Sequence, residues 1–148
     1  MINIFIAPTD TESGLTTISL GLIQALDAQG LKVGFVKPIA PVSSASERST
    51  QLIRTVLHLD TPEPMALADV QQSVSNGMLD RTLEDAVGLH AQVVEGCDVV
   101  IIEGLVPDRS EPYTAKLNVE IAKACNAYIN EGYERKASSM NKNQSLAD

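Results

Sequence analysis

Residues Thr9 to Thr16, read TDTESGLT, fall two positions short of a phosphate loop of the form G-x-x-x-x-G-K-[ST]. Such a loop works because small residues let successive backbone N–H groups converge on an anion, while the following helix points its positive end at the same place. Gly14 stands at the second glycine and Thr16 supplies the hydroxyl, but Thr9 replaces the first glycine and Leu15 the lysine. A hydrogen bond from that lysine to a charged phosphate is worth roughly 1.5–3 kcal/mol. Its loss implies about ten- to hundredfold weaker triphosphate binding. Three readings of Thr9, Asp10, Thr11, Gly14, Leu15, Thr16 and Thr17 follow. They form an active nucleotide-hydrolysing loop, a degenerate loop that weakly binds a small anion or nucleotide, or a structural turn.

Two charged residues belong to the same constellation. Glu103 closes an apolar run, Val99 to Ile102, at the end of a strand where open α/β sheets bind ligands. With Thr16 it offers oxygen ligands suited to Mg²⁺; otherwise it is a strand-end acid that caps nearby backbone N–H groups. Lys37 ends another strand and points to the same edge, either to meet an anion or to pair with Glu103 or Asp10. No residue is assigned a catalytic role, no metal site is assigned, and no cofactor is required.

These residues depend on the elements that carry them. Ile2 to Ala7 is a nearly continuous apolar run, which reads as a strand buried on both faces. From Leu15, apolar residues recur at Ile18, Leu22, Ile23 and Leu26 with helical spacing until Gly30. Leu31 to Lys37 is a second strand, parallel to the first through a right-handed crossover. A helix then carries Leu52, Ile53, Val56 and Leu57 before Thr61-Pro62-Glu63-Pro64 breaks it. A weaker helical patch covers Met65 to Val74. Leu79 to Val94 forms an amphipathic helix with Leu79, Leu83, Val87, His90 and Val94 on one stripe. Asp98 to Glu103 is the third strand, Leu117, Ile121 and Ala124 mark a last helix, and Ala127-Tyr128-Ile129 starts a fourth strand. The expected fold is a three-layer α/β domain over residues 1–129, with a short, mainly parallel sheet that stops at the fourth strand. Residues 130–148 read as a polar tail.

Composition narrows the partners. The formal net charge of −8 comes without any Lys/Arg cluster, which disfavours nucleic acid and anionic membranes. No stretch approaches the roughly 18 apolar residues that cross a bilayer, and no leader precedes the first strand, so a cytoplasmic location is expected. Cys97 and Cys125 lack metal or redox spacing and read as buried thiols. His90 reads as a packed histidine of its helix and His58 as a helix-end residue.

The loop, taken with Val36-Lys37-Pro38 and Ile102-Glu103-Gly104, resembles the dethiobiotin synthetase and cobyrinic acid amidase group, where the loop reads TDTxxGKT. The set Gly14-Leu15-Thr16, Ser19-Leu20-Gly21, Lys37 to Ala40, Glu103 to Pro107 and Leu117 to Lys123 more closely resembles the amino-terminal domain of long-form bacterial phosphate acetyltransferase. That family also carries leucine in place of the loop lysine. The resemblance implies a P-loop-NTPase-like fold and a regulatory and oligomerisation domain. Acetyl transfer between coenzyme A and phosphate would reside in a separate carboxyl-terminal catalytic domain. It further implies a homo-oligomer and small-molecule metabolite effectors. The alternative is an ATP-dependent enzyme like dethiobiotin synthetase or cobyrinic acid amidase, with Lys37 standing in for the loop lysine. The acid that synthetase relatives place in the helix after the second strand has no assigned counterpart in Glu47-Arg48-Ser49-Thr50-Gln51, and Asn130-Glu131-Gly132 interrupts the fourth strand.

Overall fold

A computed structural model describes residues 1–8, 14–41, 47–106 and 113–131. In chain order it contains β1 (Ile2–Ala7), α1 (Leu15–Asp27), β2 (Val33–Val36), β3 (Ile39–Ala40), α2 (Arg48–Leu57) and β4 (Met65–Ala66). These are followed by α3 (Leu67–Ser75), α4 (Leu79–Ala91), β5 (Val99–Glu103), α5 (Tyr113–Ala124) and β6 (Tyr128–Glu131).

Alternation along the strands builds the layers. On β5, Val99 and Ile101 join Ile6, Val33 and Phe35 on one face of the sheet, where Leu15 and Ile23 of α1 and Ile53 of α2 cover them. Val100 and Ile102 join Phe5 and Val36 on the other face, beneath Val70 of α3, Ala86 of α4 and Leu117 and Ile121 of α5. A side-chain period of two therefore splits one apolar run between two cores, and helices lie on both faces of the sheet.

The sheet order is β2-β5-β1-β6, and every pairing is parallel. The β1–α1–β2 crossover thus spans the position that β5 later fills. All of these strands end at one edge, which brings the segments after β1, β2 and β5 together.

Four features differ from the sequence expectation. The second strand is shorter, Val33–Val36. Ile39–Ala40 pairs in parallel with Met65–Ala66, so the helical patch begins at Leu67 rather than Met65. On α4 the buried row is Thr82, Ala86 and His90, whereas Val87 is 37 % exposed. Small Thr82 and Ala86 let α4 settle between α3 and α5, which turns Val87 outward. β6 runs past Ile129 through Glu131, with Ala7 opposite Glu131. The ladder is built from main-chain groups, which every residue type but proline supplies in full. Residues 132–148 of the expected tail lie outside the described residues.

Gly104 makes the turn out of β5 possible. A Cβ there would sit 2.6 Å from Phe5 Cε1 and 2.9 Å from Asn118 Oδ1. Neither neighbour has room to move. Phe5 is buried in the core, and Asn118 accepts from Leu105 N through Oδ1 and donates to Leu105 O through Nδ2, both at 2.8 Å. Gly104→Ala is therefore expected to destabilise the fold by about 1–3 kcal/mol, the usual cost of overpacking, as a lower urea midpoint at unchanged slope.

Candidate functional site

Gly14 adopts the left-handed conformation, φ 60 and ψ 38, and its carbonyl accepts the N–H groups of Thr17 (2.9 Å) and Ile18 (3.1 Å) to open α1. The side chain after it turns away from the strand edge. Leu15 is only 7 % exposed and packs in the core with Ile6, Ile23 and Phe35. The residue that replaces the lysine of a phosphate loop is thus a core residue. Thr17 is exposed. Thr9, Asp10 and Thr11 lie outside the described residues.

What the strand edge does gather is a buried ionic cluster. Lys37 Nζ lies 2.9 Å from Glu103 Oε1 and 3.1 Å from Glu47 Oε1, and donates to Ser49 Oγ at 3.2 Å. Ser49 Oγ donates to Glu103 Oε1 at 2.6 Å, and Ser19 Oγ donates to Glu103 Oε2 at 2.7 Å. Because the single Ser49 hydroxyl proton is committed to Glu103, the 2.7 Å contact between Ser49 and Thr16 must be a bond donated by Thr16 Oγ1. Glu103 is 1 % exposed, so this network replaces its water completely.

The cluster is assembled from the strand ends and from the one helix layer formed by α1 and α2. Lys37 follows β2, Glu103 ends β5, Thr16 and Ser19 lie on the first turns of α1, and Ser49 is the second residue of α2. Glu47 is the N-cap of α2, with Oε1 accepting from Ser49 N at 2.9 Å and Oε2 from Thr50 N at 2.6 Å. One carboxylate therefore completes a helix end and neutralises a buried ammonium at the same time.

Burial alone would push the Lys37 ammonium below its ordinary value, but the Glu103 carboxylate, followed by Glu47, reverses this and leaves it raised. For Glu47, burial pushes the carboxyl up; Thr50, Lys37 and the Ser49 N–H outweigh it and hold the group below its ordinary range. The Thr50 hydroxyl lies near enough to favour that charge, yet it completes no hydrogen bond among the described residues.

Of the alternatives for Lys37, the structure shows the pairing with Glu103. Among the described residues, Glu103 takes its hydrogen bonds from three side chains. Thr16 reaches Ser49 rather than Glu103. In this arrangement the Lys37 ammonium occupies the space between Glu47 and Glu103. Among the described residues no three His, Cys, Asp or Glu side chains converge as metal ligands. Sequence reading missed Ser19, Ser49 and the role of Glu47. The available signal was an acid just ahead of a helical pattern, where its carboxylate can accept from the second and third N–H groups of the helix.

His90, Asn3 and Cys125 form a separate polar link inside the other core. Asn3 Nδ2 donates to Cys125 O at 2.8 Å, which leaves Asn3 Oδ1 to accept from His90 Nε2 at 3.0 Å. The neutral ring therefore carries its proton on Nε2. Burial lowers the His90 pKa from 6.5, so the folded state prefers the neutral ring. Stability from this group is complete above about pH 6.5 and declines as pH falls below it, because the unfolded chain then binds more protons. The urea midpoint is expected to drop between about pH 7.5 and pH 5.5, and His90→Gln to flatten that slope. Cys125 is buried with its thiol pushed up to about 11 by burial, while Cys97 is half-buried and donates to Val93 O at 3.1 Å. His58 takes the left-handed C-cap of α2, at φ 54.

Residues 2–129 match the family described as AAA domain. The chain belongs to that family. Within this AAA domain the similarity extends to phosphate acetyltransferases: 46 % identity over 128 residues with that of Pseudomonas aeruginosa and 45 % over 128 residues with that of Pseudomonas putida. The match with that of Escherichia coli is 35 % over 130 residues. Each alignment covers 84–85 % of this chain and 18 % of the relative, so the chain spans about a fifth of the length of these curated relatives. The resemblance carried by the motifs around Gly14, Lys37 and Glu103 is thus to sequence relatives. Among the described residues no helix of the AAA domain is long and apolar enough to cross a membrane.

Proposed function

We propose that this domain is a non-catalytic regulatory and assembly module of a phosphate acetyltransferase. The conversion of acetyl-CoA and phosphate to acetyl phosphate and CoA would belong to a separate carboxyl-terminal domain. The observation that carries the reading is the fate of the two positions a nucleotide enzyme needs. Leu15 is packed in the core, and Lys37 is held between Glu103 and Glu47. Neither presents an ammonium group to an incoming phosphate, and two carboxyl groups at the strand edge oppose a bare anion.

In this reading the domain works in the cytoplasm within a homo-oligomer, and its effectors are small metabolites. Sequence similarity to phosphate acetyltransferases supports the parent enzyme. Titration calorimetry with ATP and Mg²⁺, paired with a phosphate-release assay on this chain, is the test. No turnover is expected. Micromolar binding with steady turnover would overturn the reading and favour an ATP-dependent synthetase that recruits Lys37. Sedimentation of the chain tests the assembly role, for which a strict monomer at all concentrations is the contrary result.

A further inference from the structure

At the ends of α1 and α2 remote from the Lys37 cluster, about 10 Å along α1, the structure leaves a cavity of about 270 Å³. Its floor is aliphatic: Ile23 from α1, Val33 at the start of β2, Leu57 at the end of α2, and Leu59 just beyond. Its polar lining comes from Gln24, Asp27 and Lys32, all exposed.

The two charges there are uncommitted. Neither the Asp27 nor the Lys32 side chain forms an ion pair or hydrogen bond among the described residues. The main chain beneath Lys32 is nonetheless fixed, since its N–H donates to Asp98 Oδ2 at 2.8 Å and its carbonyl accepts from Asp98 N at 2.8 Å and Val99 N at 3.2 Å. Asp27 is the last residue of α1, where helix carbonyls carry partial negative charge that adds to its attraction for a cation.

One ligand chemistry answers all of these features. It needs an ammonium for Asp27, a carboxylate for Lys32, and a short branched hydrocarbon for the floor. The cavity lies just under the usual 300–1,000 Å³ range of ligand pockets, which suits a molecule of about ten non-hydrogen atoms or fewer. We propose that the cleft between α1, β2 and the end of α2 binds a free α-amino acid with an aliphatic side chain. Asp27 receives the ammonium, Lys32 the carboxylate, and Ile23, Val33, Leu57 and Leu59 the side chain. The site stands apart from the acetyltransferase reading, because it concerns binding to this chain alone.

The test is an NMR titration of the whole chain with L-leucine. Shifts are expected at the amides of residues 23–27, 32–33 and 57–59, with a Kd on the order of millimolar for so small a ligand. 4-Methylpentanoate, which lacks the ammonium, and 3-methylbutylamine, which lacks the carboxylate, should each bind at least about tenfold more weakly. Asp27→Asn and Lys32→Gln should each weaken L-leucine binding about tenfold at unchanged melting temperature, since both side chains are exposed. No shifts up to tens of millimolar, equal binding by either analogue or by either variant, or shifts confined to Gly14 and Lys37 would each overturn the proposal.

Discussion

Lys37→Met lowers the melting temperature by on the order of 10 °C in the expected outcome, because removing one partner of a buried ion pair costs about 3–5 kcal/mol. The loss has a specific cause. Glu47 and Glu103 both touch the same Nζ, so their carboxyl groups lie no more than about 6 Å apart, and without the ammonium they repel each other in a nearly dry site. One of them must then take up a proton to relieve the repulsion.

That requirement gives the prediction a second readout. In the native protein the Lys37 pKa is raised from 10.5, so its contribution is complete below that value and is lost as pH rises through the folded pKa. The Glu47 pKa is lowered from 4.5, so its contribution is complete above that value and is lost as pH falls through the folded pKa. Between these limits the contribution of the pair does not change with pH. In Lys37→Met the folded state instead favours a protonated carboxyl, and its deficit should shrink as pH falls from about 8 to about 5. Thermal melts across that range decide the matter. A deficit that is small, or that does not change with pH, would mean that the cluster is hydrated and weak.

Leu15→Ala is expected to cost about 2–5 kcal/mol, the range for truncating a buried leucine, measured by urea unfolding. A residue belonging to a solvent-facing phosphate loop would lose far less. Leu15→Lys distinguishes function from packing at the same position. Restoring the consensus lysine is expected to lower the melting temperature without producing ATP turnover, since the side chain at this position is directed into the core shared with Ile6, Ile23 and Phe35. Gain of tight Mg²⁺–ATP binding in this variant would show that the loop still holds a phosphate-binding geometry and needs only its cation.

The strands were legible because β-branched residues run together in Ile2–Ala7 and Val99–Glu103. Their order was not, because insertion of β5 between β1 and β2 leaves no local trace in the residues of either neighbour. Lys37 and Glu103 were readable as a pair, since both are charged residues closing apolar runs at the same edge. Glu47 was not, because a capping acid and an ionic partner look identical in sequence. Ser19 was hidden for a different reason. A small residue inside a helical pattern reads as a spacer, and only the helix's approach to Glu103 turns it into a donor. Val87 misled because its spacing fits the apolar stripe as well as Ala86 does, and helix-to-helix distance decides between them.

Placing β5 in the middle of the sheet also sets an order of events during synthesis. Ile2 pairs with Val99, and Val33 pairs with Val99 on its other side, so the first two strands have no direct partner in each other. A nascent chain must therefore carry Ile4 and Phe5 unpaired until Val99 to Glu103 have left the ribosome. Long-range parallel pairing of this kind is slow, and it leaves apolar strands available to wrong partners in the meantime. Such a domain should refold slowly from denaturant and depend on dilution or chaperones for good yield.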